Sequence, residues 1–192
     1  MATHQLLNDS DWKHRIGKGW KGKKILGSGA YGTAALWEYE GSEGAAPAIK
    51  QIVVKQTKVD KSDNRADWEI EGRLMETLAS VRSRHILRMY GPARKDSSYG
   101  RDMRRLFLEY CPGGDMEKLL EAEGRKQITP TRPFLEVDIW TMFYCMSLGV
   151  AVMHRGTEDP NAEAWVRTTE IVHYDINPRN GKALVCQHCT SI

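Results

Sequence analysis

Apolar and polar positions follow two rhythms along the chain, and the rhythm changes near its middle. Over residues 20–39 two short apolar runs flank a glycine-rich turn. Ala35, Trp37 and Tyr39 then recur at every second position, which predicts a strand, because alternate strand side chains share one face. Gly41-Ser42-Glu43-Gly44-Ala45-Ala46-Pro47 ends it, since Gly and Pro favour turns over ladder pairing. The β-branched run Ile52-Val53-Val54 predicts the next strand, completing an antiparallel meander. Residues 63–78 switch to helical spacing: Ile70, Leu74, Met75 and Leu78 share one face, and Asp63 or Asn64 can cap the first turn. Further strands are expected at 86–90 and 106–110.

Cys111-Pro112-Gly113-Gly114 punctuates the chain, and beyond it the periodicity is helical. A short helix is expected at 115–121, then a polar loop through Pro133. A long helix follows, with Ile139, Met142, Phe143, Met146, Val150 and Met153 as a buried stripe. His154-Arg155-Gly156 suits its end, placing cations in the last turn and Gly just past it. A loop over 157–169 leads to a compact polar segment at 171–180. The expected order is a strand-rich lobe with one helix, a hinge, and a helical lobe.

Length and composition change this picture little. The 192 residues can bury one core or two lobes sharing a hinge. The 28 Lys and Arg nearly balance 25 Asp and Glu, and a net charge of +3 is too weak to imply a nucleic-acid or anionic-membrane partner. The basic clusters at 13–24 and 82–105 read as solvated faces. Residues 1–10 lack the apolar core of a signal peptide. The most apolar stretch, 137–153, is interrupted by Asp138, Ser147 and Gly149, so no membrane span is expected. Four Cys do not make a disulfide framework, which points to a reducing, intracellular setting, cytoplasmic or nuclear.

Five motifs carry chemistry, in one order. Gly27-Ser28-Gly29-Ala30-Tyr31-Gly32 fits G-x-G-x-x-G, and Thr33-Ala34-Ala35-Leu36-Trp37 continues as strand, so this loop is a hairpin tip and not the start of a dinucleotide-binding helix. Two lysines follow, in Ala48-Ile49-Lys50 and in Ile52-Val53-Val54-Lys55. Lys55 is the better candidate, because choosing Lys50 would force Pro47 to pair within the sheet. Glu71-Gly72-Arg73-Leu74-Met75-Glu76-Thr77-Leu78 supplies a carboxylate on the one helix of the first lobe. Leu106-Phe107-Leu108-Glu109-Tyr110-Cys111-Pro112-Gly113-Gly114-Asp115-Met116 forms the strand and connector. Last comes Ile171-Val172-His173-Tyr174-Asp175-Ile176-Asn177-Pro178-Arg179-Asn180, which matches H-x-D-x-x-x-x-N.

From Lys24 to Asn180 this series resembles a eukaryotic-type protein kinase domain of serine/threonine-like type. The resemblance implies an α+β, two-lobed protein-kinase-like fold, with a strand-rich N-lobe and an incomplete helical C-lobe. Residues 1–19 would be an N-terminal extension, 20–110 the N-lobe, 111–180 the hinge and partial C-lobe, and 181–192 a tail outside the family. ATP and Mg2+ are the implied cofactors and a protein hydroxyl the implied acceptor, with no nucleic acid or membrane partner. Gly27, Gly29 and Gly32 would cover the phosphates, Ala34 would lie beneath adenine, and Lys55, paired with Glu71, would contact the α- and β-phosphates. Leu108 would be the gatekeeper, the Glu109 carbonyl and Cys111 backbone would meet adenine, and Asp115 would face the ribose. Asp175 would accept or orient the hydroxyl proton, Asn180 would ligate magnesium, and His173 would hold the loop.

Three positions depart from the family pattern. Tyr174 stands where Arg is usual, which puts coupling to a phosphorylated activation loop in doubt. Asn177 replaces a Lys that contacts the transferred phosphoryl group, and Ala34 replaces Val. No Asp or Glu follows Asp175, so the resemblance stops before the Asp-Phe-Gly segment that holds the second magnesium-binding carboxylate. The expectation is a C-terminally truncated domain, weak in magnesium binding, impaired in catalysis and poorly stable. Gly181-Lys182 can be encoded by GGTAAG, a splice-donor-like sequence, so residues 181–192 are either intron-derived or a genuine tail. Cys186 and Cys189 with His188 make only half a zinc site and read as reduced thiols. The alternative to a kinase is a non-catalytic nucleotide-binding or pseudokinase-like interaction module.

Overall fold

A computed structural model of the chain describes residues 19–29, 32–42, 47–59, 66–91, 94–96, 102–125, 135–165 and 171–182. The elements are β1 (Trp20–Gly29), β2 (Gly32–Tyr39), β3 (Gln51–Val59), α1 (Ala66–Ala79), β4 (Arg94–Asp96), β5 (Asp102–Glu109), α2 (Met116–Arg125) and α3 (Glu136–Arg155). The chain divides into two compact units, Met1–Glu76 with Arg88–Tyr110, and Thr77–Leu87 with Cys111–Ile192. The expected caps Asp63 and Asn64 lie outside the described residues, as do Ala30, Tyr31 and the cysteine pair of the tail.

The first unit is built on a five-stranded sheet of order β1-β2-β3-β5-β4, in which every neighbouring pair is antiparallel. Strand β3 lies in its centre, where a β-branched run fits best. The register Trp37↔Ile52 and Ala35↔Val54↔Phe107 brings one face together as a buried cluster, with Trp37 only 1% exposed. Leu36↔Val53↔Leu108 lines the other face, and alternation puts Lys55 on that second side. At the exposed edge, Lys21 and Lys23 of β1 meet Glu40 across the hairpin, and Lys23 also lies 3.6 Å from Glu38. Hydrogen bonds from Lys21 and then Lys23 hold the Glu40 carboxyl down to about 2.

Two expectations for this unit change. The strand expected at 86–90 is a single bridge, Met89↔Leu108, flanked by Tyr90 N–H donating to the Phe107 carbonyl and Glu109 N–H donating to that of Arg88. Gly91, at φ +83°, turns the backbone out of extended geometry, and Arg94–Asp96 pair with β5 as a separate strand. Arg104 and Arg105, expected on a solvated face, are buried because β5 is an interior strand.

In the second unit, α2 starts at an Asp115 cap whose Oδ1 accepts the Lys118 N–H at 2.9 Å. Helix α3 starts at Leu135, whose N–H donates to Asp138 Oδ2 at 2.8 Å. It ends at Gly156 in the left-handed region (φ +75°), whose N–H donates to the Val152 carbonyl at 2.8 Å. The buried residues of α3 are Gly149 and Val152, whereas Ile139, Phe143 and Val150 of the expected stripe are exposed. Packing centres on Gly149 because it has no side chain: a Cβ there would stand 3.0 Å from the His85 carbonyl oxygen. By length and composition alone, this 20-residue helix could cross a membrane, and little of it is buried.

Candidate functional site

The first unit carries the glycine loop, the lysine and the connector strand. The β1–β2 hairpin closes on the pair Gly29↔Gly32, next to a 3.0 Å hydrogen bond between the hydroxyls of Ser28 and Thr33. Its glycines stand there for different reasons. Gly32 has φ +106°, and a Cβ there would lie 2.3 Å from the Gln56 carbonyl oxygen, so the fold itself requires Gly. A Cβ at Gly27 or Gly29 would meet nothing within 4 Å. At those two positions the protein leaves the space beside the backbone open.

Lys55 lies on β3 opposite Ala34 of β2 and Leu106 of β5. Its Nζ donates to Glu71 Oε1 of α1 at 2.6 Å. The Lys55 side chain is three-quarters screened from solvent and that of Glu71 is half-exposed, so the pair is neither a free surface bridge nor a fully buried one. The rival Lys50 is exposed, one residue before β3. It borders a shallow cleft of about 570 Å3 with Tyr39, Ile49, Tyr90, Glu109 and Tyr110, from which Lys55 and Glu71 are absent. Glu109 ends β5.

The second unit carries the polar loop. Cys111 is half-buried, and its carbonyl accepts the Gly114 N–H in the turn that leads to Asp115. Asp115 both caps α2 and pairs with Lys118 Nζ at 3.1 Å. Burial opposes its ionisation, but the hydrogen bonds from the Lys118 amide and ammonium outweigh that and hold the carboxyl below its ordinary value. The loop is fastened to the start of α2: Met116 N–H donates to the Gly181 carbonyl, Glu117 N–H donates to that of Pro178, and Asp115 bridges Lys182. Arg179 Nε donates to both oxygens of Glu117, at 2.7 and 2.8 Å.

Within that loop, His173 Nδ1 accepts the Asp175 N–H at 3.2 Å. Both carboxylate oxygens of Asp175 accept an amide: Oδ1 from Asn177 Nδ2 at 2.7 Å and Oδ2 from Asn180 Nδ2 at 2.8 Å. Because the nitrogen end of Asn180 is engaged, its Oδ1 is the end available to a cation. Among the described residues, no group of three or more His, Cys, Asp or Glu could hold a metal ion. The contacts of Asn177 and Glu117 were not legible from spacing, although D-x-N within a turn is a known pattern for side-chain hydrogen bonding.

A family model described as protein tyrosine and serine/threonine kinase matches residues 21–181. The chain is 28% identical over 151 residues to mitogen-activated protein kinase kinase kinase ANP1 of Arabidopsis thaliana, covering 74% of this chain and 20% of that protein. It is 27% identical over 165 residues to L-type lectin-domain containing receptor kinase V.5 of the same plant, covering 85% and 20%. Mitogen-activated protein kinase kinase kinase 3 of Mus musculus is 28% identical over 142 residues, covering 74% and 21%. The chain thus spans about a fifth of the length of these relatives.

Proposed function

Because the chain belongs to the protein tyrosine and serine/threonine kinase family, we propose that it binds ATP and directs its γ-phosphoryl group to a serine or threonine hydroxyl of a protein. The observation that carries this reading is the Lys55–Glu71 pair at 2.6 Å. A carboxylate on α1 holds an otherwise mobile ammonium at a fixed place on the central strand, where it would contact the α- and β-phosphates. Gly27, Gly29 and Gly32 would cover the phosphates, and the open space at the first two suits close backbone approach. Ala34 would lie beneath adenine, with the Glu109 carbonyl and the Cys111 backbone as its hydrogen-bonding partners. Asp115 would face the ribose with whatever acceptor capacity its cap leaves free.

In the transfer, the acceptor oxygen bonds to the γ-phosphorus as the bridge to the β-phosphate breaks and ADP departs. Asp175 would orient the hydroxyl and receive its proton. Asn180 Oδ1 would hold magnesium, which supplies neutralisation of the charge on the phosphate oxygens. With Asn177 where the family has Lys, the loop offers orientation but no cation at that position. An intracellular location, cytoplasmic or nuclear, belongs to the same proposal.

A second reading, nucleotide binding without transfer, is favoured by one observation: Asn177 puts a neutral amide where the family has Lys. Calorimetric titration with ATP and magnesium tests what the two readings share. Lys55→Met is expected to weaken binding by about tenfold or more, the loss of one charge-assisted contact, while Lys50→Met leaves it unchanged. The reverse pattern would move the site to Lys50, and absence of binding by the unaltered chain would remove both readings.

A further inference from the structure

We propose that Asn177 is a positioning residue, which fixes the carboxylate plane of Asp175 and substitutes orientation for the charge its position lacks. The proposal rests on reading Asp175 as the hydroxyl-orienting group. An exposed aspartate turns freely about its last torsion, whose energy profile is broad. Here one amide grips each oxygen, Asn177 Nδ2 on Oδ1 at 2.7 Å and Asn180 Nδ2 on Oδ2 at 2.8 Å. The same two nitrogens lie 3.3 and 2.9 Å from the Asp175 carbonyl oxygen, so each ties side chain to backbone. Rotating the carboxylate would break both grips at once. Each oxygen has two lone-pair directions, so one on each stays open to an incoming hydroxyl.

Asn177 is itself held in one orientation. Its Oδ1 accepts the Arg179 N–H at 3.0 Å, so flipping the amide would lose that bond and set oxygen against carboxylate oxygen. Arg179 is in turn fixed by Glu117 through both carboxylate oxygens, and hydrogen bonding to Glu117 raises the Arg179 guanidinium above its ordinary value. A continuous line of contacts therefore runs from the first turn of α2 through Arg179 and Asn177 to Asp175. The Glu117–Arg179 pair is exposed, and such a pair adds little stability; its effect is to hold the loop backbone in register.

Side-chain amide resonances test the clamp without any need for turnover. In 1H–15N spectra, Asp175→Ala is expected to move the Nδ2 resonances of both Asn177 and Asn180, and Asn177→Ala to move that of Asn180. Movement of Asn180 alone in Asp175→Ala overturns the clamp. Kinetics test the positioning role. Asn177→Ala should lower kcat by about 10–100-fold, the range that follows from misplacing one reacting group, with KM for ATP unchanged. An unchanged kcat, or a rise in KM alone, overturns the role. If both amides respond but the unaltered chain transfers no phosphate, the kinase reading has failed and the positioning role fails with it, while the clamp geometry stands.

Discussion

Gly27, Gly29 and Gly32 fit one motif, yet the forces acting on them differ. Gly32 is fixed by its own backbone, at φ +106° with the Gln56 carbonyl in the way of any side chain. Gly32→Ala is therefore expected to cost about 1–3 kcal/mol, the range for strain of this kind, seen as a lower midpoint in urea denaturation. Gly29→Ala should leave that midpoint in place and weaken ATP binding. An unchanged midpoint in Gly32→Ala would mean the hairpin can relax. The place of Lys55 on β3 was legible in the sequence, because the run Ile52-Val53-Val54 sets the strand and Pro47 cannot pair within it. The grip of Asn177 on Asp175 was not: spacing shows which residues are near, not which atom of an amide faces which oxygen.

At the scale of elements, the loop bearing Asp175 depends on how α2 begins. Asp115→Ala removes the cap and is expected to cost about 1 kcal/mol in a denaturation experiment. Asp115→Asn keeps a capping oxygen and removes only the charge. The folded carboxyl lies below its ordinary value of 3.8, so the unfolded chain binds the proton more readily. The charge thus contributes stability above about pH 3.8, and this is lost as pH falls through the depressed folded value. The stability difference between the native chain and Asp115→Asn should be present at neutral pH and vanish in strong acid. A difference that is flat across this range would assign the cap no electrostatic part. Two element errors have equally local causes. Hydrophobicity at 86–90 predicts a strand, but Gly91 interrupts it after one bridge. Periodicity in α3 finds the apolar side, but the contact is centred on Gly149, a residue that a hydrophobic stripe passes over.

For the whole molecule, the order of motifs was enough to give the family, because a glycine hairpin, a strand lysine, a helix glutamate, a connector and H-x-D-x-x-x-x-N each restrict the next. The apolar surface of α3 bears on the expected poor stability. Trp140, Phe143 and Tyr144 on α3 are 64%, 57% and 64% exposed, beside exposed Val137 and Ile139. A contiguous apolar patch of this kind favours association. Sedimentation should show concentration-dependent self-association that Phe143→Glu reduces. A monomer at all concentrations, with a cooperative melt at high temperature, would contradict the expectation that this face is a liability of the chain.

The central claim is phosphoryl transfer from ATP, with Asp175 directing the acceptor. Its most direct measurement is the transfer of label from γ-labelled ATP and magnesium to serine- and threonine-containing peptides, for the native chain and for Asp175→Asn. The account predicts transfer by the native chain and a fall of about 10²–10⁴-fold in the variant, the usual contribution of a positioned acid–base group, with ATP binding retained. Equal transfer by both proteins, or tight ATP binding with no transfer by either, would contradict it.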